Sequence, residues 1–173
     1  MIHGNLVTLR AVQPEDLLNW VKWFNDRAVT EYLARVYPYS QADAEKYWQK
    51  TQQNPQEILY SIVNSSNGEH IGSINLRNID WRSRNSELGV LLGAKECWGK
   101  GYGRDAVRTM CQFAFKELGL VRVYLYVRAD HPSGIRSYSK VGFKQEGIAR
   151  KQLYRNGVYH DMVLMGLLAD ELD

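Results

Sequence analysis

Cysteine, proline and histidine are scarce in this 173-residue chain, at two, four and four residues. Cys97 and Cys111 are too few for a disulfide scaffold, so a packed core has to hold the fold, and a reduced, cytoplasmic setting is expected. No apolar run reaches the roughly 18 residues of a membrane span. The opening Met1-Ile2-His3-Gly4-Asn5 lacks a basic segment and an apolar stretch, so no signal peptide is expected. Lys and Arg are interspersed with Asp and Glu to a net charge of +3, without the dense basic cluster that nucleic-acid binding favours. His3, His70, His131 and His160 show no metal-ligand spacing, so no metal is expected. Repeats, low-complexity tracts and Pro/Ser-rich linkers are also missing. What is present is 45% hydrophobic and 24% charged residues, the balance of a folded chain of one domain spanning 1–173.

Periodicity places the elements. Leu6 to Val12 alternates as a strand. Pro14 suits a first helical turn, and Leu17, Trp20/Val21 and Phe24 recur at helical spacing to about Asn25. Tyr32 to Tyr39 is aromatic and irregular. Ser40 with Asp43 forms a capping-box pattern for a helix to about Gln52. Strands follow at Ile58 to Val63 and His70 to Ile79, joined by Asn67-Gly68, which is read as a hairpin turn with positive φ at both residues. Ser86 to Gly93 is the next strand, and a glycine-rich turn leads into a helix that ends near Leu118 at Gly119. Val121, Val123, Leu125 and Val127 share one strand face. A short helix runs from Pro132 to Val141. Phe143 to Tyr154 and Val158 to Leu168 flank Asn156-Gly157, and Met162 to Met165 is apolar on both faces, as an interior strand is. The fold class is α/β (α+β), layered around a mixed sheet.

The segment richest in chemistry is Trp98-Gly99-Lys100-Gly101-Tyr102-Gly103-Arg104. Glycines at alternate positions let the backbone approach a ligand, and unpaired N–H groups at the following helix start attract an anion, with Lys100 and Arg104 adding charge. The guest is a diphosphate, or else the glycines only relieve a tight turn. A P-loop is disfavoured because Gly99-Lys100 precedes Gly101 rather than Ser or Thr. A dinucleotide fingerprint is disfavoured because three strands and two helices come before the strand that leads into the loop, and the spacing is G-x-G-x-G.

Glu87-Leu88-Gly89-Val90-Leu91-Leu92 followed by that loop resembles the acetyl-CoA signature of the GNAT superfamily, with Trp98 where Gln or Arg is usual. The likeness is to ribosomal-protein N-terminal acetyltransferases and spermidine acetyltransferases. Leu9-Arg10 with Pro14-Glu15-Asp16-Leu17, Tyr138-Ser139-Lys140-Val141-Gly142-Phe143 and Asn156-Gly157-Val158-Tyr159 resemble further family segments in the right order. The resemblance implies a centrally splayed mixed sheet flanked by about four helices, acetyl-CoA as co-substrate, and direct attack by an amine. The acceptor it implies is a small-molecule amine or a peptide N-terminus: a protein terminus, polyamine, amino sugar or antibiotic, or amino acid.

Carried over residue by residue, the resemblance assigns the pantetheine arm to backbone near Leu91 and Leu92. Tyr138 protonates the leaving thiolate, or packs beneath the cofactor. Glu87 takes a proton from the acceptor through water, or is a strand-end or substrate-binding carboxylate. His131 stands where relatives carry an Asn that bonds the pantetheine arm, and takes over that contact or serves as a general base. Ser133 and Arg136 reach the CoA phosphates, or Arg136 belongs to a solvated helix face. Cys97 is read as structural. Asp26, Glu31 and Asp80 are candidates to hold a cationic amine, and Trp23, Tyr37, Tyr39 and Trp81 to stack on an acceptor. A CoA-binding module without turnover is the rival reading. Self-association through the C-terminal hairpin edge is left open, as in a homodimer.

Overall fold

The structure, a computed structural model, describes residues 1–34 and 38–172. Tyr37, one of the stacking candidates, lies outside them. Eight strands form one sheet: β1 (Ile2–His3), β2 (Val7–Ala11), β3 (Ile58–Asn64), β4 (His70–Asp80), β5 (Asn85–Leu92), β6 (Arg122–Arg128), β7 (Lys144–Arg155) and β8 (Val158–Leu168). The spatial order is β1-β2-β3-β4-β5-β6-β8-β7. Every pairing is antiparallel except β5 with β6. The helices are α1 (Asp16–Phe24), α2 (Arg27–Thr30), α3 (Gln41–Gln52), α4 (Tyr102–Lys116) and α5 (Pro132–Ser139). The parallel pair is possible because α4 is the crossover between β5 and β6.

Two apolar layers sandwich the sheet. Ala106, Val107, Met110, Cys111 and Ala114 of α4 pack with Ile74, Leu76, Leu88, Val123 and Leu125. Leu17, Trp20 and Trp23 of α1 and Ala44 of α3 pack with Leu91. Adjacent strand residues face opposite layers, so β5 sends Leu88 to one core and Leu91 to the other.

Most boundaries shift by one or two residues, for local reasons. Pro14 and Glu15 form a turn before α1, with Leu17 N–H bonded to the Pro14 carbonyl at 3.3 Å. Val121 precedes β6 and is exposed, while Val123, Leu125 and Val127 are buried as expected. Asn67-Gly68 departs from the expected turn: Gly68 alone has positive φ, and its N–H closes a wider loop on the Asn64 carbonyl at 2.8 Å. At the second hairpin Asn156 (52°) and Gly157 (79°) are both left-handed. The Ser40–Asp43 capping box forms at the start of α3. β8 lies between β6 and β7, which accounts for its two apolar faces. One-turn α2 and two-residue β1 were not expected, being too short to show periodicity.

Asp16 ties the opening segments together. It accepts from Arg10 at 2.6 and 2.8 Å, from the Ser61 hydroxyl at 2.6 Å and from the Gln13 amide at 2.9 Å. His70 stands 3.2 Å away. Burial opposes the charge, but the Arg10 and Ser61 bonds outweigh it and hold the carboxyl down at about 2.

Candidate active site

β5 and β6 pair over only three rungs, Asn85 with Arg122, Ser86 with Val123 and Glu87 with Tyr124. Beyond Glu87 the strands part, because β6 continues along β8 and β5 along β4. A cavity of about 1100 Å³ fills the fork and reaches both sheet faces. That volume suits a large cofactor-sized guest together with a second molecule.

On the α4 side the wall carries Trp98, Gly99, Lys100, Gly101, Gly103 and Arg104. Gly99 (72°) and Gly101 (92°) are left-handed, and a Cβ built on Gly99 would meet nothing within 4 Å. Gly101 is the N-cap of α4 and makes no side-chain cap, so first-turn N–H groups remain for an anion. Trp98 donates its indole N–H to the Leu92 carbonyl at 2.8 Å, which fastens the loop to β5. Tyr102 does not line the cavity; it packs against the α4 core instead. Leu91 and Leu92 are on the wall. Cys97 is buried, and burial pushes its thiol up, so it stays protonated at neutral pH.

α5 supplies the opposite wall with Ser133, Arg136 and Tyr138, and His131 caps its start. Tyr138 is placed by the Gly142 turn, where its carbonyl accepts the Gly142 and Phe143 amides at 3.2 Å each. Burial pushes its phenol up to about 12. Tyr32 and, behind it, Arg128 brace His131. Its ring stacks on Tyr32 at 3.7 Å and 13°, with the Arg128 guanidinium 5.0 Å from the Tyr32 ring. Arg128 is buried, bonded to Asp130 at 2.8 and 2.6 Å and to the Glu31 carbonyl at 2.7 Å. Burial, then the Arg128 charge, lowers the His131 pKa, so the ring is neutral at pH 7.

On the α1–α3 side the wall carries Trp20, Tyr39, Tyr47, Asn75, Arg77 and Gly89. Asn75 donates to the Tyr47 hydroxyl at 3.2 Å and to Glu57 at 3.1 Å, and Tyr47 donates to Glu57 at 2.8 Å. A Cβ on Gly89 would come within 2.4 Å of Asn75 Oδ1, so glycine is needed there for the amide to lie over β5. Glu87 is not on the wall. Its two oxygens accept from Arg77 at 2.5 Å and Asn78 at 3.1 Å. A bulge at Arg77/Asp80, with Asn78 at φ 53°, turns both donors toward it. Neither residue was singled out in the sequence, because their meeting depends on the β4–β5 register.

The remaining acceptor candidates have local duties. Asp26 caps α2 at Ala28 N–H (2.9 Å) and pairs with Lys95 at 2.6 Å. Asp80 caps its own turn at Arg82 and Ser83. The Trp81 indole donates to the Pro55 carbonyl at 3.0 Å. Trp23 is buried, with Gly93 pressed against its ring. Among the described residues no helix is long and apolar enough to cross a membrane.

A mixed sheet forked at its one parallel pair, with a glycine cradle at one mouth of the fork, defines an acyl-carrier transferase architecture. The acetyltransferase (GNAT) domain matches residues 7–144, and the chain belongs to that family. It is a GNAT N-acetyltransferase. It is 30% identical over 172 residues to the putative ribosomal N-acetyltransferase YdaF of Bacillus subtilis, covering 95% of this chain and 92% of that one. The spermidine N(1)-acetyltransferase of Vibrio cholerae is 28% identical over 163 residues, covering 94% and 92%. The crystal structure of the Vibrio cholerae spermidine N-acetyltransferase in complex with CoA and spermine superposes with a TM-score of 0.89 at 27% identity, over 97% of this chain and 98% of that one.

Proposed function

We propose that this chain transfers the acetyl group of acetyl-CoA directly to a primary amine that enters from the α1–α3 side. The observation that carries the reading is the cavity through the sheet fork, with the Gly99–Gly101 cradle at one side and Tyr138 on its wall. The cradle fits a diphosphate: its backbone is left-handed, the space around Gly99 is open, and the α4 start is uncapped. Lys100, Arg104, Ser133 and Arg136 add charge and hydrogen bonds around it. Leu91, Leu92 and His131 border the pantetheine arm.

The reaction follows from this arrangement. The free amine attacks the thioester carbonyl, a C–N bond forms and the C–S bond breaks. Backbone N–H of β5 beyond Glu87, where β6 has turned away, polarises the carbonyl oxygen. Tyr138 gives its proton to the departing sulfur, and the proton that the attacking nitrogen sheds as the amide forms passes to solvent, from which the phenol is reprotonated. Glu87, at the apex of the fork, draws the surplus proton of the acceptor ammonium through water. A protonated amine has no lone pair for attack, so this step precedes chemistry.

The test is a thiol-release assay with acetyl-CoA across amines and N-terminal peptides. Release dependent on an amine supports the transferase reading. CoA binding without release from any amine would favour a sensing module. Gly99→Val should weaken CoA binding about tenfold, from left-handed strain and a side chain over the cradle, with KM for the amine unchanged; equilibrium CoA titration and amine kinetics measure the two.

A further inference from the structure

The acceptor half of the cavity offers hydrogen-bond donors and positive charge. Arg77 sits on its wall with a half-exposed side chain, and one of its five N–H groups is committed to Glu87. The rest of that fork is free in geometry to meet an oxygen anion. Trp20 is on the same wall and only 1% exposed, and its indole N–H has no hydrogen-bond partner among the described residues. An indole N–H only donates, and a buried donor left unpaired costs about 1–3 kcal/mol, which an oxygen from a bound molecule relieves. Trp20 neighbours Tyr47, with ring centroids 6.0 Å apart, and so belongs to the Asn75–Arg77 region.

Charge points the same way. The charged lining residues among those described are Arg77, Lys100, Arg104, Arg128, Arg136 and Lys140, all cationic. Lys100 and Arg104 lie at the cradle and Arg136 and Lys140 on or beside α5, where the phosphates belong. Asp130 neutralises Arg128. Arg77 and Glu87 therefore stand as an adjacent cation and anion at the fork, cross-strand partners on β4 and β5. Such a pair is complementary to a molecule that bears an ammonium and a carboxylate close together. A polyamine brings only cations to this wall, and like charges at close range are unfavourable.

We propose that the acceptor is a zwitterionic amine, one with a carboxylate in the same molecule as the acetylated nitrogen, and that Arg77 with the Trp20 N–H receives the carboxylate while the nitrogen lies toward Glu87. This rests on the N-acetyltransferase reading and names its substrate class. Two sources share the chemistry: a free α-amino acid, and a peptide N-terminus followed by an acidic residue.

The experiment measures thiol release from acetyl-CoA with three groups of acceptors: α-amino acids each paired with the amine lacking its carboxylate, N-terminal peptides with acidic or neutral second residues, and spermidine. At least one carboxylate-bearing acceptor is expected to exceed its carboxylate-free partner by about tenfold or more in kcat/KM, and to exceed spermidine. The first group or the second then identifies the source. Arg77→Met should remove that advantage by raising KM for the carboxylate-bearing acceptor, so that its kcat/KM falls to that of its carboxylate-free partner measured in the same variant. Arg77→Lys should restore part of it. If Arg77→Met does not fold, as a thermal melt reports, Arg77→Lys and Arg77→Gln provide the same comparison. Spermidine preferred by the wild type, or a carboxylate preference indifferent to Arg77, overturns this inference alone. No release with any amine, with CoA still bound, overturns the transferase reading with it.

Discussion

Tyr138→Phe is expected to lower kcat by at least about tenfold while leaving CoA affinity unchanged. The substitution removes one hydroxyl from a ring whose position is set by the Gly142 turn and by Phe143, its edge-on neighbour at 6.0 Å. Those backbone contacts survive in phenylalanine, so the cavity keeps its shape. What disappears is the proton that the proposed mechanism gives to the leaving thiolate. Burial pushes the phenol up to about 12, so it remains protonated throughout the neutral and mildly alkaline range. An ordinary phenol, near 10, would lose its proton progressively through that upper range. The wild-type rate should therefore show no fall attributable to Tyr138 between about pH 7 and pH 10, and the ratio of wild-type to variant kcat should be flat across that interval. Steady-state kinetics at several pH values, with equilibrium CoA titration, check both parts. An unchanged kcat would leave the tyrosine as packing.

Asp16→Asn is expected to destabilise the fold by about 3 kcal/mol, because Arg10 and the His70 region lose a buried partner. The side chain joins β2, β3 and α1 through Arg10, Ser61 and the Gln13 amide. The same residue sets the acid limit. Its folded pKa of about 2 lies below the ordinary carboxyl value of 3.8, so the unfolded chain binds protons more readily. The stabilisation, about 2 kcal/mol, is fully present above pH 3.8 and is lost as pH falls through about 2. His70 acts in the same direction at higher pH, since burial lowers its pKa and the unfolded imidazole takes up a proton first. Urea unfolding of wild type and variant at neutral and acidic pH tests this. The gap between the two should narrow as acid protonates the wild-type carboxyl, and a pH-independent gap would refute the assignment.

The long elements could be read because their apolar spacing matches what the cores bury. Leu17 and Trp20 of α1, Ala106 and Met110 of α4, and Val123, Leu125 and Val127 of β6 face inward as their periodicity requires. Alternating glycines announced the cradle, since few other residues adopt the left-handed backbone at 99 and 101. By contrast, the left-handed Asn78, Arg84 and Lys151 carry no such mark. Tyr32, Arg128, Asn75, Tyr47, Glu57, Trp20 and Arg77 border or brace the site without belonging to a motif. They come from segments far apart in the chain, and pairing registers bring them together. Glu87 was read from its strand, yet its hold on Arg77 and Asn78 exists only because β4 bulges opposite it.

The order of residues by itself determined the alternation of strands and helices, the glycine cradle and the family, because periodicity, capping and backbone freedom are local properties. Tertiary structure alone decided where the sheet forks, which side chains line the opening, and which charges already have partners. Those outcomes depend on distances between remote segments, and on how burial and neighbouring charge set the protonation of groups such as Tyr138 and Asp16.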